Sequence, residues 1–251
     1  MNDALFIAAT GMSAQSVQLD VIANNVANSN TANFKRSSVR FGDLVSSVPA
    51  QGLASSSSLA GVMPSSVLPS FSAGDLRASA DSMSLAIQGD GFFEVLRPDG
   101  GSAYARGGHL DINADRLLTI SNGQVLKQHI YVPPDVNQLS VRVDGTVQGA
   151  DANGRQVQLG RIELVQITNP AAMSSLGDGL WQANASAGDA QIAQAGEGGA
   201  GLIKQGFEEM SNVKLVDEMV QLMVAQRAYE MNVKVVQAAD EVAGMTNNLR
   251  K

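Results

Sequence analysis

The sequence predicts an α+β protein in which long N- and C-terminal helices pair as a coiled-coil-like layer around a central antiparallel all-β domain. Two observations carry this. Both ends repeat apolar residues at alternating spacings of three and four, and the middle switches to short strand-like runs between Asx-Gly turns. The 251 residues, 44% hydrophobic and 16% charged, are enough for one or two compact units.

From Leu5 the spacing runs through Ala8, Met12, Gln15, Leu19, Ile22 and Val26, all apolar but Gln15. Asn2 or Asp3 caps the start of this helix, and Asn28-Ser29-Asn30-Thr31 ends it. Leu44 to Gly74 contains no charged residue, and 10 of the 27 residues from Ser46 to Ser72 are serine. Such a stretch has little to pack and reads as an extended linker.

Six Asx-Gly pairs then mark hairpin turns: Asp90-Gly91, Asp99-Gly100, Asn122-Gly123, Asp144-Gly145, Asn153-Gly154 and Asp178-Gly179. The strand-like runs between them are Phe92 to Leu96, Leu117 to Ile120, Ile130 to Val132, Leu139 to Val143 and Arg161 to Ile167. Ala183 to Gly201, rich in Ala and Gly, reads as a flexible stretch. The last segment, capped by Ser211 or Asn212, carries Val224, Ala228, Met231, Val235, Ala238, Val242, Met245 and Leu249 in one apolar row. Leu215, Met219, Leu222, Tyr229, Val233 and Val236 form a second row beside it. The domain reading is therefore residues 1–34 with 207–251 as a helical assembly domain, 35–81 as linker and 82–206 as β domain.

The composition narrows the function. A net charge of −7 argues against binding by phosphate neutralisation, so no nucleic-acid partner is expected. The absence of cysteine excludes thiolate nucleophiles, and the two histidines, His109 and His129, lie outside any metal-binding or catalytic spacing. Gly196-Glu197-Gly198-Gly199-Ala200-Gly201 matches G-x-G-x-x-G, but no strand leads into it and Gly206 interrupts the segment after it. The carboxylate pairs Asp111/Asp115 and Glu208/Glu209 lie beside a turn and before a helix, settings that explain them without glycosidase chemistry. No catalytic residue, cofactor or metal is expected. No unbroken apolar run of membrane-spanning length occurs, and the N-terminus lacks a secretory signal, so no membrane insertion is expected.

The long C-terminal helix is apolar around so wide an arc that one partner helix cannot cover it. Either the β domain or other subunits cover the excess. The loosely ordered segments set the ends apart from the β unit and favour other subunits, with Leu5, Met12, Leu19, Ile22 and Val26 and the C-terminal row from Val224 to Leu249 as the expected subunit contacts.

Three motifs in order give this reading a family. Ala9-Thr10-Gly11-Met12-Ser13-Ala14-Gln15, Leu19-Asp20-Val21-Ile22-Ala23-Asn24-Asn25-Val26-Ala27-Asn28 and Phe34-Lys35-Arg36 resemble the flagellar rod and hook axial proteins. So do Gly89-Asp90-Gly91-Phe92-Phe93-Glu94-Val95, Pro98-Asp99-Gly100, Tyr104-Ala105-Arg106 and Asp144-Gly145-Thr146-Val147 in the centre. Gly206-Phe207-Glu208, Ser211-Asn212-Val213, Glu218-Met219-Val220, Gln226-Arg227-Ala228-Tyr229-Glu230 and Lys234 to Asp240 continue the pattern. Asn33 departs from the family's usual Gly, but both residues tolerate positive φ. The resemblance implies a non-enzymatic subunit of the flagellar drive shaft, a homo-oligomer assembling helically with other rod proteins and the hook. It further implies passage through the flagellar type III export apparatus without a cleaved signal, and a periplasmic place inside the peptidoglycan-level and outer-membrane rings. The rivals are a periplasmic enzyme acting on peptidoglycan and a soluble adaptor or export chaperone.

Overall fold

The computed structural model describes residues 2–47, 57–121, 123–151 and 154–248. It divides into two units. One comprises Met1–Ser29, Ser37–Ser70 and Val213–Lys251; the other comprises Asn30–Arg36 and Phe71–Asn212.

The first unit holds both long helices. Helix α1 (Asn2–Ala27) ends where the Asn-Ser-Asn-Thr run begins, and α2 (Leu215–Asn248) starts three residues after Asn212. At 1.5 Å per residue they are about 39 and 51 Å long. Neither Ser211 nor Asn212 is the first residue before α2, because Asn212 is engaged elsewhere: its Oδ1 accepts from the Arg36 N–H at 2.7 Å. Contrary to the expectation drawn from unbroken apolar runs, Leu5–Ala27 is long and apolar enough to cross a membrane by length and composition. In the folded unit Ala8, Ala14, Ile22 and Asn25 of this helix are instead buried against protein.

Much of the stretch read as a linker is a ribbon. Strands β1 (Ser37–Ser47) and β2 (Ser57–Pro69) pair antiparallel from Ser37 opposite Pro69 to Ser47 opposite Ser57. Composition misleads here because the backbone ladder, and not apolar mass, orders the segment. Pro64 cannot donate to a ladder, and the register shifts beside it, between Arg40 and Phe41. Gly61, at φ +115°, lets the ribbon approach α1: a Cβ there would overlap the Thr10 hydroxyl. That hydroxyl accepts from the Val62 N–H at 3.4 Å.

The second unit is the antiparallel β domain. It begins with β3 (Leu76–Ala78), β4 (Ser84–Gln88), β5 (Phe92–Leu96), β6 (Ser102–Ala105) and β7 (Gly107–Ile112). Strands β8 (Leu118–Ile120), β9 (Gln124–Leu126), β10 (Val136–Val141), β11 (Thr146–Asp151) and β12 (Gln156–Arg161) come next. It closes with β13 (Leu164–Ile167), β14 (Ser174–Gly177), β15 (Leu180–Gln182), β16 (Ala190–Ala193), β17 (Leu202–Gln205) and β18 (Phe207–Glu209). The main sheet runs β14-β15-β6-β5-β9-β8-β7-β4-β17, with β13 joined to β5 and β16 to β13. A separate sheet, β10-β11-β12, shares its core: Val141 and Val147 cluster with Leu85, Phe93, Leu118 and Ile203. A smaller aromatic cluster centres on Phe92, Tyr104 and Trp181, with Phe71 edge-on to both Phe92 and Trp181.

Asp99-Gly100, Asp144-Gly145 and Asp178-Gly179 join hairpin neighbours, whereas Asp90-Gly91 makes a parallel bridge from Asp90 to Ala200; Asn122 and Asn153 of the remaining two pairs lie outside the described residues. Both residues take positive φ at Asp178-Gly179, as a type I′ turn requires, whereas at Asp99-Gly100 and Asp144-Gly145 only the glycine does. Ile130–Val132, expected as a strand, contributes only the isolated bridge from Tyr131 to Leu117. The β unit also runs further in both directions than 82–206, because β3 pairs with β18.

Candidate assembly surface

Helices α1 and α2 run antiparallel within their unit. Gly11 lies against Asn232 and Asn25 against Glu218, a separation of fourteen residues along each helix. A Cβ on Gly11 would sit 2.9 Å from Asn232 Nδ2, so the helices come close at that point. Asn25 is the polar centre of the contact. Its amide donates to Glu218 Oε2 at 3.2 Å and to Ser37 O at 2.8 Å, and its Oδ1 accepts from Ser37 N at 3.0 Å. Asn25, Glu218 and Ala225 are all buried.

The α1 row falls on this inner face. Ala8 and Ile22 are buried, and Leu5, Met12, Leu19 and Val26 are half-buried. The α2 row does not. Ala228 is half-buried, but Val224 (64% exposed), Met231 (61%), Val235 (48%), Val242 and Met245 (58%) are exposed, as is Ala238. Leu249 lies outside the described residues. What α2 turns inward is a mixed row: Glu218, Gln221, Ala225, Ala228, Asn232 and Ala239, together with Leu222, Val233 and Val236 of the second apolar row. The second apolar row marked part of this face through Leu222, Val233 and Val236, whereas its Leu215, Met219 and Tyr229 are exposed; the polar Glu218 and Asn232 lie outside any apolar row.

Met219, Val220 and Met223 enlarge the exposed apolar surface of α2, and Phe6 and Ile7 add to that of α1. A groove of about 350 Å³, lined by Gln15, Gln18, Phe41, Val220 and Val224 among others, opens on the same unit.

The candidate chemistry dissolves on inspection. The G-x-G-x-x-G stretch is the turn between β16 and β17, with no helix after it. Its last glycine is needed for close approach, since a Cβ on Gly201 would lie 2.6 Å from Gln88 O. His109 pairs with Asp81 at the surface, and His129 Nδ1 lies 2.8 Å from Lys127 O. Asp111 Oδ1 accepts from Ile112 N, and Glu208 accepts from the Ser79 and Ser84 hydroxyls. No cluster of three or more potential metal-binding side chains occurs among the described residues.

Glu209 sits in a buried charge cluster of the β unit. Its Oε1 meets Lys35 Nζ at 2.7 Å, and its Oε2 meets Arg106 Nε at 3.1 Å. All three residues are 1–2% exposed. Arg106 also donates to Gly91 O and Gly89 O, both at 2.8 Å. Burial pulls the Lys35 amine below its ordinary value, only partly offset by Glu209. Burial pushes the Glu209 carboxyl upward, but Arg106, Lys35 and the Gly74 N–H together hold it below 4.5.

Residues 5–35 match the family described as flagella basal body rod protein. Residues 86–149 match the flagellar hook protein FlgE/F/G D1 domain, and residues 204–249 the flagellar basal body rod FlgEFG protein C-terminal region. The flagellar basal-body rod protein FlgG of Borreliella burgdorferi is 35% identical, with all of both chains aligned. FlgG of Caulobacter vibrioides is 34% identical over 98% of this chain and 99% of the relative. FlgF of the same organism, also a flagellar basal-body rod protein, is 30% identical over 97% and 96%.

Proposed function

We propose, from the premise that this chain belongs to the flagellar basal-body rod protein family, that it polymerises helically through its terminal helices as a distal-rod subunit. The family is structural and not enzymatic, and its place is the flagellar basal body among other rod and hook components. The distal segment is favoured over the proximal one because several FlgG relatives are 32–37% identical, against 30% for FlgF.

The observation that carries the mechanism is the exposed row on α2. Val224, Met231, Val235, Val242 and Met245 are exposed on a helix whose inner face is already occupied by α1, which supports their being covered by a neighbouring copy. A copy whose α1 and α2 pack on this row, head to tail and without closing a ring, generates a helical shaft. The β domain forms its outer layer, and torque passes through many shallow contacts. In this reading the subunit reaches the periplasm through the type III apparatus and the shaft turns inside the peptidoglycan-level and outer-membrane rings.

Imaging basal bodies from cells lacking this chain tests the reading. Rods truncated below the hook are expected; full-length rods refute it. The peptidoglycan-enzyme alternative loses its Glu208/Glu209 pair, since Glu209 is bound in an ion cluster and Glu208 in hydroxyl contacts.

A further inference from the structure

The cluster around Glu209 contains one buried carboxylate and two buried cations. Arg106 alone would neutralise Glu209 and already satisfies two backbone carbonyls. Lys35 is therefore a surplus buried positive charge, which disfavours folding unless it does something an apolar side chain cannot. What it does is tie three chain passages together. Its ammonium donates to Glu209 Oε1 and, at 3.0 Å, to Ser72 O. Around it Asn33 N donates to Glu209 O at 2.8 Å, and Gly74 N to Glu209 Oε1 at 2.9 Å. Arg36 N donates to Asn212 Oδ1, whose amide Nδ2 in turn donates to Ser72 O at 3.1 Å. The segment 33–36 leads from α1 into β1, and the segment 209–212 leads into α2.

We propose that Lys35 is a positioning residue for assembly: its ammonium pins the 33–36 and 209–212 passages to the 72–74 loop, so that the two passages that lead to the helices are held side by side within the β unit. The inference rests on the rod reading but fails separately from it. A merely stabilising residue lowers stability and assembly together when removed. A positioning residue that burdens the core lowers assembly alone.

The test is Lys35→Met in the full chain, which keeps the length and volume of the side chain. The protein has no cysteine, so Asn30→Cys and Met210→Cys give clean spin-label sites for pulsed electron paramagnetic resonance. The expected result has three parts: an unchanged or raised melting temperature of the β unit, a broadened Asn30–Met210 distance distribution, and about tenfold less incorporation into filaments. The last is the effect of one or two backbone residues having to be ordered again on assembly. A parallel fall in melting temperature and incorporation overturns the proposal, as does an unchanged distance distribution or unchanged incorporation. If the unsubstituted chain forms no filaments, the rod reading fails; the distance distribution alone then decides whether Lys35 fixes the two passages.

Discussion

Val235→Asp separates the folding of the subunit from its assembly. Val235 is 48% exposed on α2, on the flank of the face that Glu218, Ala225 and Asn232 turn toward α1. Valine and aspartate have nearly equal helix propensity, so the single chain is expected to change stability by no more than about 0.5 kcal/mol. In a shaft the same position is buried between copies. An unpaired carboxylate there costs several kcal/mol, and the lost apolar contact adds about 1 kcal/mol. Even a total of ~3 kcal/mol lowers the association constant by more than about a hundredfold per contact. Ile22→Ala is the contrasting change: at 1% exposed in the single chain, it is expected to destabilise the helical unit by about 2–4 kcal/mol. The assay is a far-ultraviolet circular dichroism melt of dilute protein beside sedimentation of concentrated protein and soft-agar motility. Normal rods and motility with Val235→Asp refute the assignment of this face. A collapsed melt for the dilute variant refutes it too, because Val235 then belongs to the subunit's own core.

The β unit carries further consequences. Glu209 is held below its ordinary value of 4.5, so it contributes stability above that pH and loses it as pH falls through the folded value. The β-unit melting temperature is expected to drop as pH goes below about 4.5, and this slope is expected to shrink in Glu209→Gln. Gly201→Ala drives a methyl against the Gln88 carbonyl and is expected to destabilise the β unit by about 1–3 kcal/mol, read by Trp181 fluorescence during urea unfolding. Asn33 adopts φ +61°. Asn33→Gly is expected to fold normally, while Asn33→Ala loses about 1 kcal/mol in the same titration.

The fold was legible where one local rule dominates. α1 ends at Ala27, directly before the Asn-Ser-Asn-Thr run, and Phe92–Leu96 is a strand with the expected bounds. The ribbon of β1 and β2 was hidden because composition reports packing mass, and these strands are ordered by register and by the close approach of Gly61 to Thr10. Asp90-Gly91 misled for a related reason. Gly91 does take positive φ, but beside the bridge from Asp90 to Ala200 and not in a hairpin, and the neighbouring Gly89 passes close to Gly201. Such needs arise from partners more than a hundred residues away, and no window of local sequence contains them.

The assembly surface shows the same limit from the other side. An apolar period identifies which helix face avoids water, not which neighbour supplies the cover. α2 has two such claims on it. The contact with α1 centres on Gly11 admitting Asn232 and on Asn25 meeting Glu218, with Leu222 and Val236 half-buried beside them. Val224, Met231, Val235, Val242 and Met245 are left on the outside. If α1 were the only partner α2 had, the stronger apolar row would be expected to face it, because burying Val224, Met231 and Val235 releases more free energy than burying Ala225 and Ala228. An exposed row of this kind fits the proposal that part of the apolar surface of α2 serves contacts between subunits.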